Sequence, residues 1–95
     1  MKIKKVELNH ELTPIEQIEL LLELLNAMPF GKDKWILASY DEQPEVTVYD
    51  PRTHDSCINI KVGTREIEIE INPRLPESRE IEDCLVAKIE QYLGI

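Results

Sequence analysis

The residues best suited to chemistry stand together in one short segment, His54-Asp55-Ser56-Cys57. A histidine near a cysteine can activate it as a nucleophile, or the two can form half of a zinc site. A zinc site needs a second pair of ligands, and His10 and Cys84 are far away in the sequence. The segment also has the polar composition of a turn. We therefore expect a structural role for it and predict no catalytic, metal or cofactor site.

Catalytic and cofactor motifs are missing from the sequence. It contains no His-Glu-x-x-His, Gly-x-Ser-x-Gly or Cys-x-x-Cys. The three glycines, at positions 31, 63 and 94, fit turns or a helix end and form no phosphate-binding loop. Asp and Glu make up 19 of the 95 residues, so neighbouring carboxylates arise by chance and do not indicate acid–base catalysis. The protein is predicted not to be an enzyme.

Three acids, Glu66, Glu68 and Glu70, alternate with isoleucines. On one face of a strand such residues repeat at about 6.6–6.8 Å, close to the spacing of successive phosphates in a nucleic-acid strand. The row can therefore imitate a phosphate backbone and occupy a nucleic-acid-binding protein. The simpler interpretation is a solvated strand face on which Lys61 stands opposite Glu66.

The charge of the chain limits its partners. Eleven basic and 19 acidic residues give a net charge of −8, and residues 6–31 contain no Lys or Arg. The only basic cluster is Lys2, Lys4 and Lys5. This distribution argues against direct binding to nucleic acid or to an anionic membrane, and it favours a protein partner with a basic surface.

Compartment and domain number follow from composition. The two cysteines make no disulfide framework, and the first residues lack the apolar run of a signal peptide. No stretch approaches the roughly 18 apolar residues of a membrane span. We expect a reduced, cytoplasmic protein that folds as a single domain over residues 1–95.

Residues 14–27 predict an unusually apolar helix. Thr13 and Glu16 match a capping box around Pro14, and Pro29 ends the helix. The polar positions form one narrow stripe, and Gln17 alone interrupts the apolar arc. An arc this wide needs cover on two sides.

The two apolar sides of this helix suggest a contact surface. Leu20, Leu24 and Ala27 lie roughly opposite the side that carries Ile15, Ile18, Leu22 and Leu25, and only one of these sides can pack on the sheet. A second helix needs the same sheet face. We expect the Leu20/Leu24/Ala27 stripe to be left uncovered and to mediate homodimerisation or contact with another protein.

Alternating patterns predict the remaining elements. Residues 2–8 match a short strand imperfectly and would serve equally as an arm, and residues 35–40 match a strand with both faces at least partly covered. Further strands are predicted over residues 45–49, 57–62 and 65–72, followed by a helix from about 77–79 to about 93.

Gly63-Thr64 predicts a type II′ hairpin between the last two strands. In that register Ile60 faces Ile67 and Ile58 faces Ile69, with the isoleucines on one side and the acids on the other.

These elements, in the order (β)-α-β-β-β-β-α, predict a two-layer α+β fold. A four-stranded antiparallel meander carries two helices on its isoleucine face. We expect a small acidic interaction module, an adaptor, inhibitor or chaperone-like protein that forms a homodimer. The alternative is a nucleic-acid mimic acting through Glu66, Glu68 and Glu70.

Overall fold

The structure is a computed structural model that describes residues 2–28, 35–39, 43–50, 55–75 and 78–94. The predicted strand residue Tyr40 lies outside these ranges. Two helices and five strands follow one another as β1 (Lys2–Glu7), α1 (Pro14–Ala27), β2 (Trp35–Ser39), β3 (Glu45–Tyr49), β4 (Ser56–Val62), β5 (Glu66–Ile71) and α2 (Ser78–Leu93). The predicted α+β class and antiparallel sheet are confirmed.

The sheet has the strand order β1-β5-β4-β3-β2, and every neighbouring pair is antiparallel. The prediction of four strands is wrong by one, because β1 pairs with β5 along its whole length. Val6 stands opposite Ile67 and extends the apolar face. On the same face the ammonium of Lys4 lies 3.8 Å from a carboxylate oxygen of Glu82 in α2. Tertiary contacts therefore compensate for the weak alternation of β1.

The β4–β5 hairpin differs from its predicted register by two residues. Val62 pairs with Ile67 and Lys61 with Glu68, so the tip is Thr64-Arg65 and not Gly63-Thr64. The N–H of Gly63 donates to the carbonyl of Glu66 at 2.8 Å. Because the shift is an even number of residues, every side chain keeps its predicted face.

One face of the sheet, as predicted, forms the core together with both helices. The helix-facing side chains of the central strands are almost fully buried. In α2 the predicted stripe Ile81, Leu85 and Ile89 is buried as well. The sheet residues of this core are Val46, Val48, Ile58, Ile60, Val62, Ile67, Ile69 and Ile71.

Helix α1 begins with the predicted capping box. The Thr13 hydroxyl accepts a hydrogen bond from the Glu16 N–H at 3.2 Å. In return, the Glu16 carboxylate accepts one from the Thr13 N–H at 3.0 Å. These two bonds hold the pKa of Glu16 below its ordinary value, and the bond from the Thr13 N–H has the larger effect. The helix start is therefore fixed by local sequence, as expected.

Gln17, the one polar residue in the apolar arc of α1, is buried with its hydrogen bond satisfied. Its side-chain amide donates to the carbonyl of Val62 at 2.9 Å. The N–H of Val62 in turn donates to the carbonyl of Pro44 at 2.9 Å. The amide therefore ties α1 to the end of β4.

Candidate protein-interaction surface

Helix α1 has three sides with different environments, and the first faces the sheet. Leu20, Leu21 and Leu24 have no exposed surface on this side. The helix packs over β4. The expectation that the Leu20/Leu24/Ala27 stripe stays uncovered is therefore wrong: Leu20 and Leu24 are core residues, and Ala27 is partly buried. In this fold Leu20 and Leu24 have no surface with which to contact a partner.

The second side of α1 carries its acids and faces α2. The Lys88 ammonium lies 3.1 Å from a carboxylate oxygen of Glu23. Burial raises the pKa of Tyr92, and the negative charges of Glu19, Glu16 and Glu23 raise it further. The acidic stripe of α1 thus lies along the helix–helix contact.

The third side of α1 is apolar and exposed. Ile15 is 70% exposed, Ile18 37% and Leu22 46%. At 100° per residue these positions lie about 100° from the acidic side of the helix and about 140° from its buried side, so they point away from the sheet on the side that α2 does not cover. We call Ile15, Ile18 and Leu22 the α1 stripe. The sequence pattern predicted that this side of the helix would pack on the sheet.

Strand β2 is exposed on both faces, contrary to the expectation that both are partly covered. Ile36, on the helix side, is 53% exposed, and Leu37, on the other side, is 63% exposed. Helix α2 covers β1 and β5, where Glu82 meets Lys4, and α1 covers β4. The helical layer therefore ends before it reaches β2.

Helix α2 leaves both the α1 stripe and Ile36 uncovered. Across the sheet the order runs from β5, below α2, through β4, below α1, to β3 and β2. The side of α1 turned away from α2 is consequently the side nearest β2. We call the α1 stripe together with Ile36 the apolar flank. Exposed apolar residues such as these are typical of a protein–protein contact surface.

The predicted acidic row lies on the open sheet face along β5, the strand next to edge strand β1. Glu66 is exposed, and Glu68 and Glu70 are partly buried. The register places Lys5 on one side of Glu68 and Lys61 on the other. Lys61 therefore stands opposite Glu68 and not, as predicted, opposite Glu66. Two lysines beside the central carboxylate weaken the likeness to a phosphate row.

The other sequence candidates come together into no site in the described ranges. His54 lies outside them. Cys57 is buried and Cys84 is exposed. No group of three His, Cys, Asp or Glu residues among those described is placed to hold a metal ion.

An open depression of about 420 Å³ lies at the hairpin tip, and no histidine or cysteine is found among the described residues that line it. Those lining residues are Gln17, Gln43, Gly63, Thr64, Arg65 and Glu66.

Comparison of the chain with models of protein families, with curated proteins and with solved structures gives no match. In the described part of the chain neither helix has the length and apolar character needed to cross a bilayer. The function of the protein must therefore be inferred from its surface.

Proposed function

We propose that this chain is a non-enzymatic protein-interaction module that forms a homodimer through the apolar flank. The α1 stripe is the observation that carries the proposal. Complete burial of one Ile or Leu side chain contributes about 1.5–3 kcal/mol, so burying three half-exposed side chains in each of two copies contributes several kcal/mol. A two-fold contact buries the same patch twice, which makes a second copy the natural occupant.

The dimer presents the rest of its acidic surface to a further protein. With a net charge of −8 per copy, a basic surface is the complementary partner. With only two cysteines in the sequence, too few for a disulfide framework, a reducing compartment such as the cytoplasm suits the module. The work of such a module is adaptor-like, inhibitory or chaperone-like.

A nucleic-acid mimic acting through Glu66, Glu68 and Glu70 is the second candidate, and it has weaker support. A mimic needs a run of uncompensated negative charge, whereas Lys5 and Lys61 flank Glu68 in the sheet register. The apolar flank also has no role in that function.

Light scattering coupled to gel filtration tests the dimer. Wild-type protein is expected to elute as a dimer at micromolar concentration. Leu22→Lys places a charge in the stripe and is expected to raise the dimer dissociation constant by about tenfold or more, since 1.4 kcal/mol is a factor of ten. Gln91→Lys makes the same charge change at an exposed position of α2 and is expected to stay dimeric. A monomeric wild type contradicts the proposal, as does an equal effect of the two variants.

A further inference from the structure

The two edges of the sheet are protected to very different degrees. An edge strand exposes unpaired backbone N–H and C=O groups, and proteins usually block such edges with charges, proline or a bulge. Edge strand β1 carries Lys2, Lys4, Lys5 and Glu7. Edge strand β2, with the sequence Trp-Ile-Leu-Ala-Ser, has neither a charge nor a proline. Only β2 therefore has the properties of a strand that accepts another strand.

A second copy of β2 is a fitting occupant of this edge. A two-fold axis through Leu37, the middle residue, aligns all five residues of two antiparallel strands. Ile36 then faces Ala38 of the second copy, so a large residue meets a small one on the helix side, and Leu37 faces Leu37 on the axis. No like charges meet, because β2 has none. The same arrangement of β1 would bring lysines of both copies together.

We infer that β2 pairs antiparallel with β2 of a second copy, so that two five-stranded sheets become one sheet of ten strands. This inference rests on the homodimer proposed above and names the contact that forms it. Backbone hydrogen bonds join the two edges, as in strand-addition complexes. Above the joint, Ile36 of each copy lies beside Ala38 of the other on the helix side, and the two Leu37 side chains meet on the open side.

Cysteine cross-linking at the proposed axis tests the pairing. Directly opposed residues of antiparallel strands have Cα atoms about 4.5–5.5 Å apart, which is within the range that a disulfide spans. In a Cys84→Ser background, which removes the exposed native thiol, Leu37→Cys is expected to cross-link to itself under mild oxidation. Ile3→Cys in the same background is the control, because Ile3 is 53% exposed on the opposite edge. It is expected to stay uncross-linked.

Hydrogen exchange on the unmodified protein gives a second measurement that depends on no variant. Those amides of residues 35–39 that point away from β3 are expected to gain protection as concentration drives dimerisation, whereas the amides of β1 do not change. Leu37→Lys is expected to raise the dimer dissociation constant by about tenfold or more.

The outcomes separate this inference from the proposed function. If wild-type protein is dimeric and Leu22→Lys disrupts the dimer, but Leu37→Cys fails to cross-link and β2 gains no protection, the strand pairing is wrong and the dimeric module stands. A wild type that is monomeric at micromolar concentration overturns both. Protection of β2 that appears only with an unrelated added protein, and not with concentration, also overturns self-pairing.

Discussion

Gln17 shows how one polar side chain can be required inside an apolar core. Val62 donates its N–H to the carbonyl of Pro44, which makes these two residues a hydrogen-bonded pair of the antiparallel ladder. Such a pair normally exchanges two bonds. Pro44 has no N–H, and the amide of Gln17 supplies the missing donor to the Val62 carbonyl at 2.9 Å. Gln17, the polar residue in the apolar arc of α1, thus supplies the hydrogen bond that Pro44 cannot donate.

Replacing Gln17 by Met, which has similar length but no donor, is expected to lower the free energy of unfolding by about 1–3 kcal/mol. The reason is that a buried carbonyl loses its hydrogen bond. Urea unfolding followed by circular dichroism measures the loss.

The matched background for that experiment is Pro44→Ala. Residue 44 then has an N–H of its own, so Gln17→Met is expected to cost less in this background than in wild type. Equal costs in the two backgrounds would show that the amide does not replace the proline's missing donor.

At the scale of elements, the β4–β5 hairpin shows where local sequence rules stop. The predicted turn required a positive φ at Gly63, but among the described glycines only Gly94 has one, at +75°. A Cβ on Gly63 would lie 2.9 Å from the backbone oxygen of Glu66. The glycine is needed for this close approach and not for its backbone angles.

Contacts from another segment hold the hairpin tip in its observed place. The N–H groups of Leu8 and Leu12 donate to the carbonyls of Arg65 and Thr64, each at 2.8 Å. Leu8 and Leu12 themselves are buried. The link between β1 and α1 therefore fixes the register of two distant strands.

Gly63→Ala is expected to destabilise the protein by about 1–3 kcal/mol, the usual cost of forcing extra atoms into a packed site. The nearest atom is backbone and cannot rotate away. Thr64→Ala, at the exposed tip, is the control and is expected to change stability little. Urea unfolding of both variants checks this, and a Gly63→Ala protein as stable as wild type would contradict the account.

For the whole molecule, charge and apolar surface have opposite effects on assembly. Each copy carries a net charge of −8, so two copies repel one another at long range. The apolar flank and the edge of β2 are uncharged. Salt therefore screens the repulsion and leaves the attraction in place.

The dimer dissociation constant is accordingly expected to fall as ionic strength rises. Between about 0.01 M and about 1 M salt, the Debye length shortens from about 30 Å to about 3 Å. Analytical ultracentrifugation across this range measures the change. A dimer that dissociates as salt is added would show that charge pairs, not the apolar flank, hold it together.

The sequence by itself determined the helices and strands that are marked by a cap or a periodic pattern within their own residues. The capping box of Thr13 and Glu16, the alternation of β4 and β5, and the stripe of α2 each follow from contacts among residues close in the chain. Their period and caps therefore predicted the α+β class and the buried face of the sheet.

Tertiary structure decided which apolar side of α1 is buried. The spacing of apolar residues in α1 predicts two apolar sides but does not tell which of them the sheet covers. That choice depends on the placement of α2 and on the hydrogen bond from Gln17 to Val62. The structure buries Leu20 and Leu24 and exposes the α1 stripe. It also leaves β2 uncovered, because two helices placed over β1, β5 and β4 do not extend across a fifth strand. The exposed apolar surface results from the incomplete covering of the sheet by the two helices, and no local sequence pattern predicts that.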